Sequence, residues 1–169
     1  DPDITEESYM RVIYSKTARL FEAASQASAI LAEATPEEEK ALQDYGRYLG
    51  TAFQLIDDLL DYSADGETLG KNTGDDLDEG KPTLPLLHAM KHGNAEQSAL
   101  IRQAIEEGNG RHLLEPVLET MHQAGSLAYT RQRAEEEADK AIACLSILPD
   151  TPYRRALEGL AHLAVKREY

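Results

Sequence analysis

Apolar residues recur at spacings of three and four along most of the chain, which is the pattern of amphipathic helices. The first such stretch follows Thr5, a good capping residue, and places apolar residues on one face from position 9 to position 31. A second stretch, with apolar positions from 42 to 60, follows the residues Thr35-Pro36-Glu37-Glu38. These combine a capping threonine, a proline in the first turn and a glutamate three residues after the threonine. Both stretches are predicted to be long helices.

Residues 65–83 interrupt this pattern, because they contain glycines at positions 66, 70, 74 and 80 and no helical periodicity. Helical patterning resumes over 84–90, after Asn94, after Gly110, over 126–148 and from Thr151. No alternation of apolar and polar residues indicates a strand. The predicted fold class is all-α, organised as one helical region over residues 1–169 with a glycine- and lysine-bearing loop at 65–83.

Charge and composition exclude several classes of function. The chain has 31 acidic and 17 basic residues and a net charge of −14, which argues against a nucleic-acid binder or a polybasic membrane anchor. Its single cysteine excludes an internal disulfide framework and a cysteine-rich zinc site. No apolar run reaches the ~20 residues of a membrane span, and the first residues do not resemble a signal peptide. These observations predict a cytoplasmic protein with no nucleic-acid partner.

Carboxylates cluster near the predicted end of the second helix. Gln54, Asp57, Asp58 and Asp61 are spaced so that they form one polar stripe on a helix, bordered by core residues. Like charges one turn apart destabilise a helix, and grouped oxygen ligands suit a hard divalent cation such as Mg²⁺. The alternative is an ordinary solvated acidic face in an acidic chain.

Lysines supply the complementary charge. Lys16 and Thr17 interrupt the apolar face between Val12 and Leu20, and an inward lysine is costly unless an anion meets it. The alternative is a lysine that extends to solvent. In the loop, Lys71 and Lys81 each follow a glycine, a combination that lets backbone and ammonium approach a phosphate, although an ordinary acidic loop would have the same composition. Taken together, these features indicate a diphosphate held by magnesium and lysines.

Other metal and nucleotide motifs fail on their spacing. Residues 66–71 are one residue short of a phosphate-binding P-loop. Residues 61–72 imitate a calcium loop but end in Asn72 where a glutamate belongs. His88 and His92 are one turn apart but lack the glutamate of a zinc protease helix, so we interpret them as surface or core histidines.

Three segments carry a resemblance to a known family. The sequence Asp57-Asp58-Leu59-Leu60-Asp61, followed by Gly70-Lys71 and by Gly80-Lys81-Pro82-Thr83-Leu84-Pro85, resembles the trans-prenyl diphosphate synthases. The likeness extends through 9–20, 45–50, 108–111 and 131–139, and is greatest to bacterial long-chain members, which make the side-chain precursor of ubiquinone. It implies an all-helical isoprenoid-synthase bundle with a deep central cavity.

The resemblance also implies a role for each site residue. Asp57 would be the leading magnesium ligand, and Asp58 and Asp61 would ligate the ion or orient its water. Lys16 and Lys71 would contact the allylic diphosphate, Thr17 and Gln54 would line the site, and Lys81 and Asp76 would support the closing loop. The implied reaction ionises the allylic C–O bond, and the double bond of isopentenyl diphosphate then attacks the resulting cation.

The chain also departs from the family pattern. Family members are longer, and their N-terminal half contributes a first aspartate-rich motif and the residues that bind isopentenyl diphosphate. Residues 1–169 contain neither. We therefore expect the C-terminal half of a synthase, inactive by itself, that forms a homodimer or pairs with the N-terminal half. The alternative is a non-catalytic helical partner of a complete synthase.

Overall fold

A computed structural model describes residues 1–63 and 73–167, and within them the chain is all-α, as the periodicity predicted. The α-helices of these residues are α1 Glu6–Ile13, α2 Arg19–Leu31, α3 Pro36–Leu60, α4 Asp75–Asp78, α5 Leu84–His92, α6 Ala95–Glu107, α7 Leu114–Ala124, α8 Ser126–Cys144 and α9 Pro152–Lys166. Short 3₁₀ turns at Gly110–Leu113 and Leu145–Ile147 adjoin α7 and α8. None of these helices is long and apolar enough to cross a membrane.

The predicted capping residues begin the helices as expected. At α3, the Glu38 N–H donates to Thr35 Oγ1 at 3.2 Å, and the Thr35 N–H donates to the Glu38 carboxylate at 3.0 Å. At α9, Thr151 Oγ1 accepts from the Arg154 N–H at 3.2 Å. Each bond satisfies an N–H group that has no partner inside the helix. The starts of both helices are therefore decided by local sequence.

One π-helical turn, Tyr14–Ala18, separates α1 from α2 inside what the periodicity predicted as a single α-helix. The buried positions along this segment are Tyr9, Ile13 and Ala18, spaced by four and then by five residues. A π turn inserts one residue into the helical repeat. It therefore moves the buried face away from the positions that a regular α-helix would bury.

Lys16 and two apolar residues near it are exposed. Val12 and Leu20 are 51% and 73% exposed, and Lys16, midway between them, is exposed as well. Among the described residues Lys16 therefore lies on an exposed side of the helix together with these apolar side chains, and its contact with an anion stays a prediction.

The chain divides into two compact units. Within the described residues, the first comprises Asp1–Tyr9 and Asp57–Arg131, and the second Met10–Ile56 and Gln132–Arg167. In the first unit α5, α6 and α7 contact one another. Its core is formed by Tyr62, Leu77, Leu86, Ala89, Ile101, Ala104, Ile105, Val117 and Met121. That 1–169 form a single helical region stays a prediction.

In the second unit, two glycines of α3 allow a close helix approach. A Cβ on Gly46 would lie 2.4 Å from the carbonyl oxygen of Phe21, and one on Gly50 would lie 2.6 Å from Ala18 Cα. Real Cβ atoms do not approach other atoms this closely, so only glycine fits at these positions. Nearby, the buried Tyr45 hydroxyl donates to the Leu157 carbonyl of α9 at 2.9 Å.

Candidate active site

The predicted acidic stripe lies at the C-terminal end of α3. Asp57 and Asp58 belong to its last turn, Asp61 follows directly, and the three carboxylates differ in burial. Asp58 is only 5% exposed, whereas Asp57 and Asp61 are half-buried. Leu59, between them in sequence, is buried in the protein interior. The helix therefore holds carboxylates at the edge of an apolar core, where a charge is poorly solvated.

Tyr9 is a buried partner of Asp58. Its hydroxyl donates a hydrogen bond to Asp58 Oδ2, and the two residues are 49 positions apart in sequence. Burial, the negative charge of Asp58 and the hydrogen bond to it raise the pKa of Tyr9 well above its ordinary value, while the backbone N–H of Leu84 opposes the increase. The periodicity placed Tyr9 in the helix core. A buried tyrosine needs a hydrogen-bond partner, but that signal alone does not identify Asp58.

Asp61 connects the end of α3 to α4. Its carboxylate Oδ2 accepts from the Asp76 N–H at 3.0 Å, and its backbone carbonyl accepts from the Gly74 N–H at 2.9 Å. Burial raises the pKa of Asp61 to about 6, the carboxylates of Asp76 and Asp75 add to the increase, and the Asp76 N–H opposes it. The charged form of this carboxylate is therefore disfavoured unless positive charge is nearby.

Lys81 provides positive charge to Asp76. Its Nζ lies 3.2 Å from Asp76 Oδ1 and 2.7 Å from a Glu79 carboxylate oxygen. Burial raises the pKa of Asp76, and Lys81 opposes that increase. Glu79 and Asp76 in turn raise the pKa of Lys81. The structure thus brings together the two residues predicted to support the loop.

Arg111 is a contact of α4 that the sequence analysis did not predict to be part of the site. Its guanidinium donates to Asp75 and, at 3.2 Å, to the Thr73 carbonyl, and its backbone N–H donates to Asp78 Oδ1 at 3.2 Å. The arginine therefore ties both ends of α4 to the 3₁₀ turn at Gly110–Leu113. No local sequence signal links positions so far apart.

Polar residues predicted to line the site also occur in the second unit. Thr17 Oγ1, in the π-helical turn, donates to Gln54 Oε1 of α3 at 2.7 Å. Both side chains are half-buried, and the neighbouring Lys16 is exposed. The structure therefore joins Thr17 to Gln54. Lys71 lies outside the described residues, and its predicted role stays a prediction.

The described carboxylates fit a magnesium ion that is shared with a phosphate ligand. Among the residues that the structure describes, no three His, Cys, Asp or Glu side chains are arranged to hold a metal ion. Mg²⁺ usually binds through one or two carboxylates, water and substrate phosphates, without a complete cage of protein ligands. Asp57, Asp58 and Asp61 carry oxygen atoms from which one or two such ligands could come, and a nearby cation would favour the charged form of Asp61.

Comparison with known proteins gives concordant matches over the chain. The model of the family described as polyprenyl synthetase matches residues 1–121. Octaprenyl diphosphate synthase of Escherichia coli is 80% identical over 168 residues, which are 99% of this chain and 52% of that protein. Octaprenyl diphosphate synthase of Haemophilus influenzae is 63% identical over 169 residues, or 100% of this chain and 51% of that protein.

A solved structure agrees with these matches. Polyprenyl synthase from Caulobacter crescentus, complexed with calcium and isoprenyl diphosphate, superimposes with a TM-score of 0.93 at 42% identity. The superposition covers 100% of this chain and 52% of that one. The chain thus spans about half the length of the relatives that it matches.

Proposed function

The chain belongs to the polyprenyl synthetase family, and from that premise we propose that it carries the part of a long-chain polyprenyl diphosphate synthase that holds the allylic diphosphate. The observation that supports this most directly is the carboxylate group at the end of α3, in which Asp58 is buried against Tyr9 and Asp61 is bonded to the amide of Asp76. Carboxylates that are close together and partly buried lower the stability of the folded protein. Binding of a cation and a diphosphate would offset this cost.

In the proposed reaction the allylic C–O bond breaks and the diphosphate leaves with the electron pair. The double bond of isopentenyl diphosphate then forms a new C–C bond to the allylic carbon, and loss of a proton restores a double bond. A bound magnesium ion would supply positive charge that stabilises the departing diphosphate. Apolar surroundings would protect the cationic carbon from water.

The residues of this chain would position the magnesium ion and the diphosphate. Asp57, Asp58 and Asp61 would hold Mg²⁺ together with the diphosphate, and the Asp76–Lys81 pair would hold α4 in place. Lys16 and Lys71 would contact the diphosphate, and the bonded pair of Thr17 and Gln54 would line the site.

Identities of 80% and 63% to octaprenyl diphosphate synthases support an octaprenyl product. We therefore propose that this product serves as the ubiquinone side-chain precursor. The homodimer and the cytoplasmic location stay predictions.

The direct test incubates the full-length protein that carries this chain with isopentenyl diphosphate and an allylic primer. We expect Mg²⁺-dependent octaprenyl diphosphate, identified by chromatography, and no product in the presence of a chelator. A product of another length would contradict the octaprenyl assignment alone. Absence of any extension would contradict the proposed activity, and stimulation of a separate complete synthase would then support the alternative of a non-catalytic partner.

A second test addresses the diphosphate contact of Lys16. Lys16→Ala should raise the KM for the allylic substrate more than the KM for isopentenyl diphosphate, because the family resemblance assigns the latter's ligands to the N-terminal half. Lys91→Ala, which removes an exposed lysine of α5, is the matched control. Equal increases for both substrates would exclude Lys16 from the allylic site.

A further inference from the structure

Tyr9 and Asp58 form a buried hydrogen-bonded pair inside the first unit, with exposed fractions of 3% and 5%. We propose that Tyr9 is a positioning residue, which orients the Asp58 carboxylate toward the magnesium–diphosphate ligand. This inference rests on the proposed function, because it assigns a purpose to the orientation of Asp58. It adds to the site a residue that the sequence pattern placed in the helix core.

The chemistry of the tyrosine hydroxyl indicates that Tyr9 positions Asp58 and does not neutralise its charge. A carboxylate buried to this extent needs hydrogen bonds or an opposite charge. A lysine or arginine at position 9 would supply a charge and so compete with a metal ion. A tyrosine hydroxyl supplies a hydrogen bond and leaves the negative charge in place. Tyr9 can therefore hold Asp58 without itself neutralising the charge of that carboxylate.

Tyr9 is itself held from both sides. Its backbone N–H donates to the Thr5 carbonyl at 2.9 Å in the first turn of α1, and the backbone N–H of Leu84 acts on its hydroxyl. Leu84 is the first residue of α5, where amide groups have no acceptor within the helix. The hydroxyl proton itself is donated to Asp58 Oδ2. Partners of this kind fix metal-binding carboxylates, and their loss typically costs about 10–100-fold in metal affinity.

Tyr45 offers a matched comparison in the second unit. It is 2% exposed, and its hydroxyl donates to the Leu157 carbonyl at 2.9 Å. Replacing either tyrosine by phenylalanine removes one buried hydroxyl and the hydrogen bond that it donates. Only Tyr9→Phe removes a bond to a carboxylate. If Tyr9 had a purely structural role, both variants would therefore change metal binding alike. If Tyr9 positions Asp58, only Tyr9→Phe would weaken metal binding.

The experiment measures Mn²⁺ binding to the full-length protein in the presence of inorganic diphosphate, by electron paramagnetic resonance of free Mn²⁺. We expect Tyr9→Phe to weaken Mn²⁺ binding by about 10-fold or more, and Tyr45→Phe to leave it within about twofold of the unsubstituted protein. Thermal unfolding of each variant reports its stability separately. 4-Aminophenylalanine at position 9 restores an N–H donor, so a folded protein with that residue should regain the lost affinity.

A double-mutant cycle tests whether Tyr9 acts through Asp58. Tyr9→Phe should cause no further loss of Mn²⁺ affinity in a protein that already carries Asp58→Ala, and additive losses would overturn the inference. Normal affinity in Tyr9→Phe, or weak binding with 4-aminophenylalanine in place, would also overturn it while leaving the proposed function intact. If the unsubstituted protein bound no Mn²⁺ with diphosphate, the proposed function and this inference would both fail.

Discussion

At the residue scale, the carboxylates at the end of α3 illustrate a conflict between stability and function. Asp57 contributes to raising the pKa of Asp76, and it lies one helical turn from Asp61. Like charges at this spacing cost a few tenths of a kcal/mol in a helix. Such an arrangement is expected where a ligand later supplies the missing positive charge.

Asp57→Ala should therefore separate activity from stability. We expect turnover of the full-length protein to fall by about 100-fold or more, because charge on the departing diphosphate loses its stabilisation. The melting temperature should stay equal or rise, since repulsion is relieved. Asp139→Ala, which removes an exposed carboxylate of α8, should leave turnover unchanged. Near-normal turnover in Asp57→Ala would exclude Asp57 from the site.

His88 belongs to a separate group of titratable residues in the first unit. Its Nδ1 lies 3.0 Å from Ser126 Oγ, and its ring centroid lies 4.3 Å from those of His92 and Tyr129. Burial lowers the pKa of His88, His92 and Lys91 lower it further, and Glu6 opposes them. The folded protein therefore holds this histidine in its neutral form over a wider pH range than the unfolded chain does.

The lowered pKa of His88 predicts how the free energy of unfolding changes with pH. The pKa of His88 is lower in the folded protein than in the unfolded chain, so the unfolded chain binds more protons as the pH falls. The contribution of His88 to the free energy of unfolding is therefore complete above about pH 6.5 and is lost at lower pH. His88→Gln should show a smaller loss of unfolding free energy between about pH 7.5 and about pH 5, measured by urea denaturation. His162→Gln, at an exposed position of α9, is the control. An unchanged pH dependence in His88→Gln would refute this account.

At the scale of elements, glycines at helix contacts matter more than helix propensity. Gly50 lies in α3 where a Cβ would be 2.6 Å from Ala18 Cα, whereas nothing lies within 4 Å of a Cβ on Gly159 in α9. The same substitution should therefore have opposite effects at the two positions.

Gly50→Ala should lower the unfolding free energy by about 1–3 kcal/mol, because the added methyl group forces two helix backbones apart. Gly159→Ala should raise the same quantity by about 0.5–1 kcal/mol, since alanine favours the helix and meets no neighbour. Chemical denaturation of both variants provides the measurement. Equal effects would show that the π-helical turn and α3 do not approach each other as closely as described.

At the scale of the whole molecule, the chain carries one aspartate-rich motif and exposes several large apolar side chains. Among the described residues, those most exposed are Leu31 at 85%, Tyr153 at 83% and Leu20 at 73%. Apolar surface of this kind is typical of faces that contact other protein. We therefore expect the 169-residue chain to depend on further protein for activity.

The purified 169-residue chain should give no extended product from isopentenyl diphosphate and an allylic primer, even with saturating Mg²⁺. Fusion to the N-terminal half of the Escherichia coli relative, which is 80% identical over the matched region, should restore prenyl transfer. The same fusion with Asp57→Ala controls for activity of the added half. Extended product from the 169-residue chain alone would contradict this prediction.

Local sequence determined the long helices, two of their starts and the acidic stripe, but it did not predict α4, which lies inside residues 65–83 where a loop was expected. Capping bonds span three residues, and the stripe follows from the helical repeat, so both could be predicted without knowledge of the fold. The π-helical turn at Tyr14–Ala18 could not be predicted, and it places Ala18, five residues after Ile13, on the buried side of the helix.

Only the tertiary structure decided which residues complete the candidate site. Tyr9 meets Asp58 across 49 positions, and Arg111 meets Asp75 across 36. The periodicity assigned Tyr9 to a core face but could not name its partner. The physical reason is that helix formation depends on neighbours within a turn or two, whereas these contacts depend on how whole helices pack.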